Sequence, residues 1–293
     1  MSGTILAVDL GGTRFRAGVA SLADPGAVRS VGEWPAPRDR EDFVALLSEQ
    51  LSKAGADHLG IGVPGLARGT VCLWIPNLPY LDNLDAAAIF PGVRVAVGND
   101  AQFALVAEAS AGAAADVEDA LLLAIGTGIG SAVLAGGKIV EGSRGGACSF
   151  GWAAADESDR GDDVSGWLER QASGRALDRI AKRLGLADGA ALVEAARSSD
   201  SDALAALLPP MRALGTALAG AVALLDPAVL ILAGGVVRSF DVLAPMVLDA
   251  LRRQLPKHLR GIELKPGHFG AQAGLVGAAF AGSRGADWRR RHG

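Results

Sequence analysis

Cysteine is scarce: only Cys72 and Cys148 occur in 293 residues. They lie far apart and without metal-ligand spacing, which gives neither a disulfide framework nor a zinc pattern and fits a reducing compartment. Basic charge is not in excess. The 28 Lys and Arg against 32 Asp and Glu leave a formal net charge of −4, so no nucleic-acid partner is expected. The tail "RGADWRRRHG" is locally basic and reads as a solvated helix end. Long hydrophobic runs are also missing. The most apolar stretches, such as "ALLLAIGTGIGSAVLAGG", are interrupted by glycine and fall short of the ~18 unbroken apolar residues of a membrane span. The opening "MSGTILAVDLGGTR" has no basic region followed by an apolar core, so no export signal is expected. Together these absences point to a cytoplasmic protein without a membrane partner.

Half of the residues are hydrophobic, and a chain of this length can bury a large core, divided between two closely joined lobes. Ile5 to Val8 and Phe15 to Val19 are short β-prone runs on either side of "DLGGTR", which predicts a hairpin with a glycine-containing loop. In "EDFVALLSEQLSKAGA", Phe43, Leu46, Leu47 and Leu51 follow helical spacing, with a stop near Gly55. "HLGIGVPGLARG" reads as a strand and a Pro-Gly turn. "VRVAVGND" reads as a buried strand that ends where the helix of "AQFALVAEASAG" begins. A second cycle starts at Ala120, where strand, glycine-threonine loop and strand recur as a weak internal repeat. From Ser165 to Asp226 the pattern is mostly helical, with breaks near Gly185–Gly189 and at Pro209–Pro210. "DPAVLILAGGVV" returns to a buried strand, and "AQAGLVGAAFAG" is a small-residue helix able to pack within the chain or across an interface. A boundary near Gly112 divides residues 1–112 from 113–293, with the last helix free to return to the first lobe.

Three glycine loops follow strands. In Asp9-Leu10-Gly11-Gly12-Thr13, backbone N–H groups and the Thr13 hydroxyl suit phosphate oxygens, and Asp9 suits hydrated magnesium; the same residues also suit a tight hairpin turn. Gly126-Thr127-Gly128-Ile129-Gly130 has the same logic. Gly234-Gly235 closes a buried strand where adenine or ribose could approach the backbone, or where the strand simply turns. Asp100, at a strand-to-helix junction, suits either a helix cap or a general base.

In this order, "VDLGGT", "GIGVPG", "GND", "IGTGIG", "GWLERQASGRAL" and "LILAGGV" resemble the ROK family of bacterial sugar kinases and repressors, over roughly the whole chain. The family belongs to the actin-like ATPase and sugar-kinase superfamily. The resemblance implies an α/β fold of two actin-like, ribonuclease H-like lobes with a cleft between them. It also implies ATP and Mg²⁺ as cofactors, a sugar substrate and a homodimer. Asp100 would be the general base on the sugar hydroxyl, most simply the 6-hydroxyl. Asn99, Glu169 and the Gly65 backbone would face the sugar, although Glu169 also suits a solvated helix start. Asp9, Gly11, Gly12, Thr13, Thr127, Gly128, Gly234 and Gly235 would hold the nucleotide. ATP and polyphosphate need the same cradles, and the adenosine-type glycines favour ATP. The chain has no room before Asp9 for the DNA-binding domain of the family's repressors; a non-catalytic sugar-binding or regulatory protein is the alternative.

One segment departs from the family. Where its kinases carry Glu-X-Gly-His followed by a zinc-completing cysteine cluster, "GSRGGACSFGW" places Cys148 at the last small position, Ser149 at the glutamate and Trp152 at the histidine. No zinc site is then expected, and both cysteines read as buried or half-buried thiols. The lost carboxylate would weaken ordinary glucose by roughly 1.5–3 kcal/mol if nothing compensates. Trp152 could stack on a sugar face or on an amino group, or pack as a lobe-closing core residue. The change favours a modified ring, such as the aminohexose kanosamine or a cyclitol, over glucose.

Overall fold

The structure, a computed structural model, describes residues 3–290. The chain forms, in order, β1 (Thr4–Leu10), β2 (Arg14–Ser21), β3 (Asp24–Pro35), α1 (Arg40–Ala54), β4 (His58–Val63), β5 (Leu66–Arg68), β6 (Val71–Trp74), α2 (Ala86–Ile89), β7 (Arg94–Asn99) and α3 (Asp100–Ala111). It continues with β8 (Ala120–Ile125), β9 (Ile129–Ala135), β10 (Lys138–Ile139), α4 (Trp167–Ala172), α5 (Gly174–Arg183), α6 (Gly189–Arg197) and α7 (Ser201–Leu225). The last elements are β11 (Val229–Ala233), α8 (Phe240–Gln254), β12 (Glu263–Pro266) and α9 (Ala273–Arg284). Two compact units result: one takes the residues up to Glu118, Ala132–Ala147 and those from Ala271 onward, the other Asp119–Ser131 and Cys148–Gly270.

The first unit is built on a sheet of order β3-β2-β1-β4-β7, antiparallel through β1 to β3 and parallel from β1 through β4 to β7. β1, β4 and β7 are buried along most of their length, as parallel strands covered on both faces are. α1 ends where the sequence predicts: Gly55 caps it in the left-handed conformation, its N–H on the carbonyls of Leu51 and Ser52. β3 has no simple alternating pattern and contains Pro25 and Gly26; it exists because β2 offers it an edge. The small-residue helix α9 packs within this unit, against α3, β1 and β4.

The basic tail, read from the sequence as solvated, is in part buried among its described residues; its last residues, 291–293, lie outside them. Trp288 is fully buried, donates its indole N–H to the Val97 carbonyl at 3.2 Å and meets Phe103 edge-on at 4.9 Å. Arg289 stacks on the Trp288 ring at 4.3 Å, faces Glu141 at 3.0 Å, and through its carbonyl accepts the Ile139 N–H at 2.8 Å. One tail charge, Arg289, is thus folded inward because an aromatic anchor precedes it, while Arg290 stays exposed.

The other five-stranded sheet has the order β10-β9-β8-β11-β12, with β8, β11 and β12 parallel. α7 runs unbroken through Pro209 and Pro210, where the sequence suggests a break. The missing donors and ring clashes of the prolines are overridden by packing, since Pro210, Met211, Leu214 and Leu218 are all buried. α7 is long and apolar enough to cross a bilayer by composition alone, yet it packs on α8, α4 and α6 as a core helix.

Candidate active site

In the first unit the chemistry collects at one sheet end. β1, β4 and β7 are parallel neighbours whose register sets Asp9 beside Gly62 and Val63 beside Asn99. Their C-terminal ends therefore deliver Asp9, Gly65 and Asn99–Asp100 to the same edge, the usual binding edge of a parallel sheet. The hairpin closes through Gly11, whose N–H donates to the Arg14 carbonyl at 2.8 Å, leaving Gly12 and Thr13 exposed.

The capping role foreseen for Asp100 falls instead to Asn99. Its side-chain oxygen accepts the Ala101 N–H at 2.9 Å, and the Gln102 side chain accepts the Asn99 N–H, completing a capping box. The Asn99 amide nitrogen also donates to the Gly65 carbonyl at 3.1 Å, and the Asn99 side chain hydrogen-bonds to the Asp100 carboxylate. Gly65 has no room for a side chain: a Cβ there would lie 2.3 Å from the Trp74 carbonyl oxygen.

Asp100 begins α3 and is open to solvent, with one carboxylate oxygen accepting the Ala101 N–H at 2.8 Å. The protein mass around its carboxyl, and then the nearby Asp9 carboxylate, push its pKa up to about 6, against a downward pull from backbone N–H groups and Asn99. Asp9 is buried and its carboxyl is also held above the ordinary range by burial, although Arg16 forms an ion pair with it. Arg16 donates in addition to the Ala271 carbonyl at 3.0 Å. The sequence reading missed Arg16, yet a signal existed: closing the hairpin at Gly11 and Arg14 sets Arg16 directly opposite Asp9.

In the second unit, β8 and β11 are adjacent and parallel, with Ala124 beside Ala233, so the 126–130 loop and Gly234–Gly235 leave the same sheet end. Gly126 and Thr127 are exposed; the Gly126 carbonyl accepts the Gly174 N–H at 2.8 Å, which ties the loop to the start of α5. Gly234 has a φ of 80°, and a Cβ on it would lie 2.6 Å from the Ile125 carbonyl oxygen, so only glycine turns there. Glu169, on α4, lies against this loop: its carboxylate accepts the Ile129 N–H at 3.1 Å and would meet a Cβ on Gly128 at 2.5 Å.

Ser149 is exposed and precedes a single 3-10 turn, Phe150–Trp152. Trp152 is 52% exposed, so it is not part of the packed core of its own unit. Cys72 is buried, its thiol pushed up to about 12 by burial and the Asp82 carboxylate, while Cys148 is half-buried. No group of three or more His, Cys, Asp or Glu side chains suited to a metal ion occurs among the described residues. A groove of about 740 Å³ along α8, lined by Pro245, Leu248, Asp249, Arg252, Arg253 and Arg260, contains none of these site residues.

Comparison with known proteins gives a consistent picture. The model of the ROK family matches residues 5–282. The chain is 30% identical to a glucokinase of Streptomyces coelicolor, over 94% of this chain and 96% of that one. It is 29% identical to an N-acetylmannosamine kinase of Escherichia fergusonii, over 94% and 97%. A ROK family glucokinase from Streptomyces griseus, solved with glucose and AMPPNP, superposes with a TM-score of 0.79 at 27% identity, covering 97% of this chain and all of that one.

Proposed function

Since the chain belongs to the ROK family and is an ATP-dependent sugar kinase of the actin-like fold, we propose that it phosphorylates a hexose-like substrate at its primary 6-hydroxyl with Asp100 as general base. The observation that carries this reading is the place of the Asp100 carboxyl, exposed just past the C-terminal end of β7 beside Asn99, which takes over the capping of α3. Burial of part of its surroundings and the Asp9 carboxylate push its pKa up to about 6. A base with a pKa just below neutral is ionised at working pH and still takes a proton as the hydroxyl oxygen bonds to phosphorus. Asn99 relieves Asp100 of helix capping and holds the Gly65 turn and the Asp100 carboxylate in place beside the sugar. In the first unit the exposed Gly12 and Thr13, with the Thr13 hydroxyl, suit a phosphate; in the second unit the exposed Thr127 with its hydroxyl does the same, and the Gly234–Gly235 turn suits the adenosine. Glu169 reaches the sugar only insofar as its second carboxylate oxygen is not held by the glycine loop.

Magnesium fits this donor set as a hydrated ion. Arg16 occupies one side of the Asp9 carboxylate, and Mg²⁺ commonly keeps several waters while binding one or two carboxylates and substrate phosphates. Asp9 would hold it through water, and the ion would supply charge neutralisation on the phosphates.

For the substrate, the exposed Trp152 face and the Ser149 hydroxyl favour a ring bearing an amino group or another modification, since an aromatic face attracts an ammonium. An ADP-release assay with ATP and magnesium across glucose, other hexoses, 2- and 3-aminohexoses, N-acetylhexosamines and cyclitols tests this. A modified ring should exceed glucose in kcat/KM by tenfold or more; glucose far ahead of all others would make the Ser149–Trp152 turn a neutral variation.

The pH profile is a separate prediction. Because the Asp100 pKa is raised and its base form is the active one, kcat/KM should fall as pH drops through about 6. The limiting slope is about tenfold per pH unit for one essential ionisation. A profile flat down to pH 4.5 would contradict the assignment.

A further inference from the structure

Ser131, the third residue of β9, is buried, and its hydroxyl joins two peptide groups of a distant segment. It donates to the Cys148 carbonyl and accepts the Phe150 N–H at 3.1 Å. Those two groups flank Ser149, so a single side chain fixes the peptide planes on both sides of it. The hold matters because Cys148 sits at a φ of 66°, a left-handed conformation costly for a residue with a side chain. From there the turn continues to Trp152, whose N–H donates to the Ser149 carbonyl at 3.0 Å. Two residues before Ser131, the Ile129 N–H is held by Glu169 at 3.1 Å. This short stretch of β9 therefore serves as a fixed base from which the Ser149–Trp152 turn is aimed.

We propose that Ser131 is a positioning residue for sugar recognition, acting through the direction it imposes on Ser149 and Trp152. The proposal rests on the sugar-kinase reading for what the turn does; the geometry of the turn stands independently. Alanine at 131 leaves the Cys148 carbonyl and the Phe150 N–H without their shared partner, and the left-handed residue between strand and turn then has less to hold it. Threonine keeps the hydroxyl and suits a β-strand.

The experiment compares Ser131→Ala and Ser131→Thr with the parent protein. Steady-state kinetics use the best sugar of the panel above. Acrylamide quenching of Trp152 is taken as the difference between each protein and its Trp152→Phe counterpart. Ser131→Ala should raise the sugar KM roughly five- to fiftyfold, the size expected when a buried polar group loses its partner. The KM for ATP should stay within twofold, and the Trp152 quenching should change. Ser131→Thr should return both quantities to near the parent values. An unchanged sugar KM with unchanged quenching in Ser131→Ala overturns the proposal. So does an equal rise in both KM values that threonine fails to rescue, the pattern of a general structural defect. If the parent protein phosphorylated no sugar at all, the kinase reading would fall, while quenching would still report whether Ser131 sets the turn.

Discussion

Asp100→Asn should lower kcat by about 10²–10⁴-fold, the usual contribution of a positioned general base, while nucleotide affinity stays within about twofold of the parent value. Asparagine preserves the size of the side chain and can still accept the Ala101 N–H, and the helix cap belongs to Asn99, so α3 should form unaltered. What disappears is the group that takes the proton. The substitution should also reveal the cost of keeping a carboxylate in this position. Its pKa in the folded protein is above the ordinary 3.8, so the folded state favours the protonated form. Any stability tied to that preference is complete below pH 3.8 and is lost as pH rises through about 6. At pH 7 the Asn variant should therefore melt at a higher temperature than the parent, and the gap should narrow as pH falls below 6. A slower enzyme that is also more stable at neutral pH is the signature of a site kept reactive at the expense of stability. Full turnover in Asp100→Asn would remove Asp100 from the chemistry, and a large loss of nucleotide affinity would assign it a different role.

Trp288→Ala should cost about 3–5 kcal/mol, the range for deleting a large aromatic from a core. Three interactions vanish with the ring: the hydrogen bond to Val97, the edge contact with Phe103, and the face on which Arg289 rests. Arg289 would then remain buried beside Glu141 without its stacking partner. Thermal unfolding followed by circular dichroism should show a fall in Tm on the order of 10 °C. Trp152→Ala is the matching control. Its ring is 52% exposed, so its stability should change by no more than about 0.5 kcal/mol, with the effect appearing in the sugar KM instead. Equal melting temperatures for Trp288→Ala and the parent would mean that the tail does not anchor the first unit.

The contrast between these two tryptophans shows which features a sequence makes legible. Trp152 is noticed because it interrupts a family pattern, and its exposure could not be read from its neighbours. Trp288 lies in a basic tail that looks solvated, and only its distant partners, Val97 and Phe103, reveal an anchor. Local signals served well where a feature is decided locally: the hairpin around Gly11–Thr13, the Gly55 stop of α1, and the β7–α3 junction at Asn99–Asp100 all follow from nearby residues. β3 was not legible because its partner β2 creates it. The continuity of α7 through two prolines was hidden for the same reason, being decided by packing on α8, α4 and α6. In the candidate site, the glycine loops and Asp100 announce themselves by composition and order. Arg16 needed the hairpin register. Ser131 had no local signal at all, since its two hydrogen bonds reach 17 and 19 residues along the chain.

The measurement closest to the central claim is phosphorus NMR of a mixture of the protein, ATP, magnesium and the best acceptor of the sugar panel, run beside the same mixture with Asp100→Asn. The account predicts that the γ-phosphate signal of ATP is replaced by ADP and a phosphomonoester coupled to the sugar C6 protons, and that the variant leaves ATP intact over the same time. ADP accompanied only by free phosphate, whether or not sugar is present, or an equal yield of sugar phosphate from the variant, would contradict it.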